Sequence, residues 1–343
     1  MFGIFIIYIS QASYIKPVLQ GLIDINSFPH KSYEGVINGY VVNANWSDLQ
    51  PTEKGPIIDN NVIDKEIEKV RAYNSSHPDR KIYLKLRVFA GIQSPMWAKK
   101  IGGEPITVED EYSHGRPSKK GTIGRYWDPE FGKAYSDLQK KLATKYDNDQ
   151  EILDVSVSRC TTIYAEPFMR QISSQVTRDN LIGAGYTIEK DTTCQKEQID
   201  SHKVWHHTRS SVAINPYQTI ILQQDGKTKG NINIDYVGSF ISYCRQALGQ
   251  RCVIGNNSIK ESITSGESNG YYPTLYSTIK GNGPPIYFQT SVNRNADGTS
   301  AIGDWRKVLQ SAASYGANYV ELPEGYWERP IENTKEGYGL KYY

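Results

Sequence analysis

The stretch DPEFGKAYSDLQKKLATKYDNDQEILDVSVS (128–158) sets the architecture. In its first half, Phe131, Tyr135, Leu138 and Leu142 recur at helical spacing and share one face. Asp128-Pro129 is a helix start: a carboxylate can accept from the free N–H groups of the first turn, and proline has no N–H there to waste. After a polar break, EILDVSVS (151–158) is an apolar run of strand length. A strong helix that leads directly into a buried strand is the repeating step of a parallel α/β sheet.

The same step recurs along the chain. LQGLIDIN (19–26), GYVVNANW (39–46) and KIYLKLRVFAG (81–91) read as strands one to three, and 151–158 as the fourth. SSVAINPYQ (210–218), RCVIGNN (251–257), PIYFQTS (285–291) and ANYVELP (317–323) read as strands five to eight. Helical patterns lie at 62–74, 128–146, 233–250 and 303–316, the last stopping on Gly316. Eight strands alternating with helices predict an α/β chain folded as a single (β/α)8 barrel over residues 13–343. The rival open sheet needs a glycine-rich turn after a strand, and Gly183-Ala184-Gly185 follows none. Two insertions, 101–127 and 171–209, read as long loops after strands three and four, at the end where such barrels build their sites.

Composition narrows the function class. The chain has 343 residues, 38% hydrophobic and 22% charged, enough for a sizeable core. Its net charge of +2, with no long basic run, argues against binding nucleic acid through phosphates. The 25 tyrosines supply flat apolar faces that each carry a hydroxyl, which suits carbohydrate or protein ligands. Phe2 to Ile9 is too short to span a bilayer; with Ser10 and Ala12 behind it, segment 1–12 is expected to be a signal peptide and the protein secreted. Cys160, Cys194, Cys244 and Cys252 permit two disulfides in any of three pairings. Asn45-Trp46-Ser47, Asn74-Ser75-Ser76 and Asn256-Asn257-Ser258 are formal glycosylation sequons, which also arise by chance. His202 and His206, four apart and near Cys194 and His207, lie in a segment without apolar periodicity, so no metal is assigned, and no cofactor is expected.

The strand ends carry the chemistry. Asn45 and Trp46 close strand two, strand three ends in Arg87 with Trp97 beyond, and strand five ends in Asn215 and Tyr217. Asn256-Asn257 ends strand six, Gln289 strand seven and Glu321 strand eight, with Trp327 beyond. Amides and carboxylates bind sugar hydroxyls in pairs, and indoles stack on the apolar face of a pyranose.

WSDLQPTEKGPI (46–57), RVFAGIQSPMWA (87–98), YWDPEFGKAYSDLQKKLATKYDND (126–149) and AEP (165–167) resemble the clan of (β/α)8 glycoside hydrolases that contains β-galactosidases and cellulases. The likeness covers roughly residues 39–170. It implies a glycosidase that cleaves an oligo- or polysaccharide with two carboxylates, Glu166 being the general acid/base. Asn45, Trp46, Arg87, Trp97, Asn215, Tyr217, Gln289 and Trp327 would then bind the sugar. Three features depart from the clan: seven residues (159–165) separate the apolar core of strand four from Glu166, which would put it on a loop, and two positions differ. Ala165 stands where it usually has Asn, and Gln289 stands where it takes its nucleophilic glutamate, although a neutral amide cannot attack an anomeric carbon.

Glu321 is the natural substitute. In YVELP, Val320 and Leu322 would face the helices, and Tyr319 and Glu321 the barrel interior. An inward carboxylate needs a job or a partner, and Arg87 is a candidate ion-pair partner. Strands four and eight are opposite in a barrel about 15 Å across, which would leave about 7–8 Å between the carboxyls, inside the inverting window. The alternative reading is a non-catalytic barrel that binds carbohydrate and has lost its nucleophile.

Overall fold

The computed structural model describes residues 14–111, 119–264, 270–290, 302–323 and 326. The expected signal segment 1–12 and Trp327 lie outside them. Eight strands form the barrel: β1 (Gly21–Asp24), β2 (Ile37–Asn45), β3 (Tyr83–Phe89), β4 (Ile152–Ser156), β5 (Arg209–Ala213), β6 (Cys252–Ile259), β7 (Ile286–Thr290) and β8 (Tyr319–Leu322). Each pairs in parallel with its sequence neighbours, and β8 pairs with β1 to close the ring. This is the (β/α)8 barrel expected from the alternation of patterns.

Alternation along each strand builds two apolar layers. Ile23, Val41, Val253, Tyr287 and Tyr319 pack inside the ring. Val320 and Leu322 point the other way, into the layer between sheet and helices. The outer helices form where apolar stripe and cap coincide. In α1 (Val62–Ser76), Asn61 and Asp64 make a reciprocal capping box, and Ile63, Ile67 and Val70 are buried. In α2 (Pro129–Tyr146), the Asp128 carboxylate accepts from the Glu130 N–H, and Phe131, Tyr135, Leu138 and Leu142 are buried.

The two insertions are more regular than loops. Segment 101–127 carries an antiparallel hairpin, Ile106–Asp110 with Lys119–Ile123. Segment 171–209 carries two helices, α3 (Gln175–Gly183) and α4 (Ile188–Ser201). Beyond them lie α5 (Asp235–Leu248), α6 (Tyr272–Gly281) and α7 (Trp305–Ser314). The fifth strand stops at Ala213; Tyr217 begins a separate hairpin, Tyr217–Leu222 with Thr228–Asn233. Of the three cysteine pairings, the chain forms Cys160–Cys194 and Cys244–Cys252. Among the described residues, no helix is long and apolar enough to cross a membrane.

Candidate functional site

β4 ends at Ser156, so Glu166 stands ten residues further on, in a segment held at many points. The Ser158 N–H donates to the Tyr135 hydroxyl at 3.1 Å. The Cys160 N–H donates to Gln198 Oε1 at 3.1 Å, and the Cys160 disulfide binds α4. Gly91 lets the β3 loop approach: a Cβ there would sit 2.1 Å from the Thr162 carbonyl, and the φ of +56° suits glycine. Just past Glu166, Gln195 of α4 donates to the Pro167 carbonyl at 2.6 Å. Arg170 forms a buried two-pronged pair with Asp191 of α4, at 2.8 and 2.6 Å. The glutamate is therefore on a braced shelf at the C-terminal mouth of the barrel.

Two amides cradle its half-buried carboxyl. Asn215, just past β5, donates to Oε2 at 3.0 Å, and Asn257 of β6 donates to Oε1 at 3.2 Å. Burial raises the Glu166 pKa; the Asn257 and Asn215 bonds and the Arg87 charge pull it back only in part. Both side-chain partners are donors. As the amides are oriented, both carboxyl oxygens accept, and no acceptor among the described residues faces the carboxyl.

Glu321 is the opposite case. It lies on β8 beside Gln289 of β7 and is wholly buried. Lys85 donates to Oε1 at 2.7 Å, and Arg87 pairs with Oε2. Burial alone would raise its pKa, but Arg87 and Lys85 hold it below the ordinary carboxylate value. Arg87 also donates to Gln289 Oε1 at 3.2 Å, so the side chain on the seventh strand is tied into the same cluster. Beneath it, Lys85 reaches the Tyr319 hydroxyl at 2.9 Å and sits 3.7 Å over the Tyr287 ring. Tyr319 donates to Asp154 at 3.2 Å, and Ser211 to the same carboxylate at 2.5 Å. Gly255 makes room for Tyr287: a Cβ at 255 would lie 2.2 Å from its ring.

The remaining predicted residues divide by which way the backbone turns. Arg87, Asn215, Gln289 and Glu321 gather with Glu166 at the mouth and upper interior. Asn45, on β2, donates to Asp48 at 2.8 Å. Trp46 is turned into the core by the helical turn Trp46–Leu49, edge-on to Trp97, Phe131 and Tyr135, and offers no open face to a sugar. Trp97 is half-buried, its indole N–H donating to the Gln50 carbonyl at 3.2 Å. Tyr217 is fully buried against Phe168 and Tyr236, again facing core and not cleft. Two residues missed as site members, Asn257 and Lys85, had a signal: one of the paired asparagines ending strand six, and a lysine two residues before Arg87 on an apolar strand. His202 is buried between the Tyr135 hydroxyl and Ser210, and burial pushes its pKa down to about 3, so it is neutral. Cys194 is in a disulfide, His206 is exposed, and His207 Nδ1 lies 2.6 Å from the Tyr14 carbonyl.

No protein-family model matches the chain, and no curated protein matches it by sequence. Solved structures do match. The β-galactosidase from Bacillus circulans sp. alkalophilus aligns at 13% identity with a TM-score of 0.51, over 89% of this chain and 50% of that one. Endo-glycoceramidase II from Rhodococcus sp., in complex with a ganglioside, aligns at 15% identity with a TM-score of 0.50, over 91% of this chain and 76% of that one. An endo-β-1,4-glucanase from Xanthomonas axonopodis pv. citri aligns at 12% identity with a TM-score of 0.46, over 92% and 88%. The chain has the (β/α)8-barrel fold, and these structural neighbours of it are glycoside hydrolases.

Proposed function

We propose that this barrel acts on a carbohydrate and that Glu166 is the proton-transferring group of a glycoside hydrolase. One observation carries the reading: a half-buried carboxyl at the barrel mouth, its pKa raised by burial, with a neutral amide donor on each oxygen. A general acid must hold its proton near neutral pH and give it to the glycosidic oxygen. Arg87 and Gln289, at the upper interior, would meet sugar hydroxyls, with Asn45 at the end of β2 and Trp97 in the helical turn Met96–Lys99.

A specific observation favours a second reading. Glu321 has both oxygens taken by cations and is closed to solvent, so it is poorly placed to attack an anomeric carbon or to accept a proton from water. With Gln289 on strand seven, the barrel would then bind a glycan without cleaving it. Glu166→Gln separates the two. In the first reading it lowers hydrolysis of aryl glycosides by about 10²–10⁴-fold while calorimetry still shows glycan binding. If the wild-type protein binds glycans and cleaves none across a panel of linkages, the second reading holds. A fluorinated glycoside is expected to leave Glu321 unlabelled; a covalent adduct there would make it the nucleophile of a retaining mechanism.

A further inference from the structure

The formal sequon at 256–258 holds a buried amide whose orientation is unambiguous. Asn256 Oδ1 accepts from the Ser258 backbone N–H at 2.9 Å and from the Tyr276 hydroxyl at 2.9 Å. Its Nδ2 donates to the Ile214 carbonyl at 2.8 Å. A backbone N–H can only donate and a backbone carbonyl can only accept, so the amide has one satisfied orientation. The same Nδ2 donates to Asn215 Oδ1 at 3.0 Å. Asn215 must then turn its nitrogen the other way, onto Glu166 Oε2. The second amide is held less firmly. Asn257 Oδ1 faces the Tyr287 hydroxyl at 3.1 Å, a group that can donate or accept, so this amide is free to reverse.

We propose that Asn256 is a positioning residue for Glu166, acting through Asn215: it locks the Asn215 amide with its N–H toward Oε2, so that oxygen always faces a donor and the carboxyl carries its proton on Oε1. The proposal rests on Glu166 being the proton-transferring group and supplies the device that keeps it so. It also explains why a sequon asparagine is entirely buried, beside α6 rather than at the surface. Asn256 touches neither Glu166 nor the cleft. Its effect runs from two backbone groups and a tyrosine through one neutral amide to the acid. The charged and titratable groups that also bear on Glu166 are Arg87 from β3, Glu321 from β8, Tyr272 from α6 and Tyr287 from β7. None of these depends on Asn256 for its bonds.

The test reads the titration of Glu166 directly, so it does not require turnover. Carboxyl-labelled glutamate in the full chain gives a resonance assigned by its loss in Glu166→Gln. Asn215→Ala is expected to raise the Glu166 midpoint by about one pH unit because a donor that favours the ionised form is lost, and Asn256→Ala to raise it by up to as much because the freed Asn215 amide can turn its oxygen to the protonated carboxyl. The double variant is expected to shift no further than Asn215→Ala alone, since both act through one bond. A folded Asn256→Ala with an unchanged midpoint, or additive shifts in the double variant, overturns the proposal. If Asn256→Ala does not fold, the native protein still decides. The side-chain amide signals of Asn215 and Asn256 should both follow the Glu166 midpoint, and an Asn256 amide that stays still while Asn215 moves overturns the coupling. Coupled titration in a protein that cleaves no glycoside would sink the hydrolase reading and leave the positioning chain standing.

Discussion

Glu166 and Glu321 are one residue type in two contrasting settings. Glu166 sits on a braced shelf at the mouth, half-buried, among neutral amides, and burial raises its pKa. Glu321 sits inside the ring, fully buried, between a lysine and an arginine that lower its pKa. Environments of these two kinds push the pKa values of two carboxyls apart, so that the first gives up its proton at higher pH than the second. On the proposed function, the difference also separates a site from a scaffold: removing the first should cost chemistry, and removing the second should cost folding.

The sharpest way to break that distinction is to remove each charge in turn and measure stability. Glu321→Gln leaves Lys85 and Arg87 buried without their shared counter-ion, and is expected to cost about 3–5 kcal/mol in denaturant unfolding. Glu166→Gln removes a charge that makes no ion pair among the described residues, and Asn257 can turn to meet the new amide. Its cost should stay below about 1 kcal/mol. Equal losses in the two variants would mean that both carboxylates are structural and that the contrast carries no functional meaning.

The barrel was legible because each strand is a short apolar run between polar breaks, and α1 and α2 show their stripe in the sequence. α4 was not, because much of its buried face is polar: Asp191, Gln195 and Gln198 serve Arg170, the Pro167 carbonyl and the Cys160 N–H, and leave no apolar period to read. The polar strand ends marked the mouth, and the alternation in YVEL placed Glu321 inward. Direction within a turn was not legible. Trp46 and Tyr217 follow strands just as Asn215 does, yet only Asn215 reaches Glu166, because sequence order does not say which face of a turn a ring will choose.

A second test acts on the shelf alone. The Cys160–Cys194 disulfide joins residues 34 apart and anchors the segment that carries Glu166 to α4. Loop-closure entropy gives it about 3–4 kcal/mol, against about 2–3 kcal/mol for Cys244–Cys252, whose partners are only 8 apart. The double replacement Cys160→Ser/Cys194→Ser is expected to lower stability by up to the larger figure and to loosen the Glu166 cradle, leaving the Lys85–Glu321–Arg87 cluster as it is. Hydrogen exchange should rise over residues 157–171 and stay flat over β3 and β8. Exchange rising equally in both regions would show that shelf and ring open as one unit.

The smallest expected effect has the most telling sign. A carboxyl whose folded pKa is raised binds its proton more tightly in the native state, so it lowers stability as pH climbs from the ordinary value of 4.5 through the folded pKa. Glu166 should thus produce a decline on the neutral side of 4.5, which Glu166→Gln removes. Glu321, with a lowered folded pKa, contributes stability that is present above 4.5 and lost as pH falls toward its folded pKa. Its signature lies on the acid side and should vanish in Glu321→Gln. Each slope is bounded at about 1.4 kcal/mol per pH unit for a single proton. Urea unfolding between pH 3 and 7 on the wild type and the two variants reads both. If the two variants flatten the same side of the curve, the carboxyls titrate as one coupled pair, and the assignment of a proton donor to Glu166 fails.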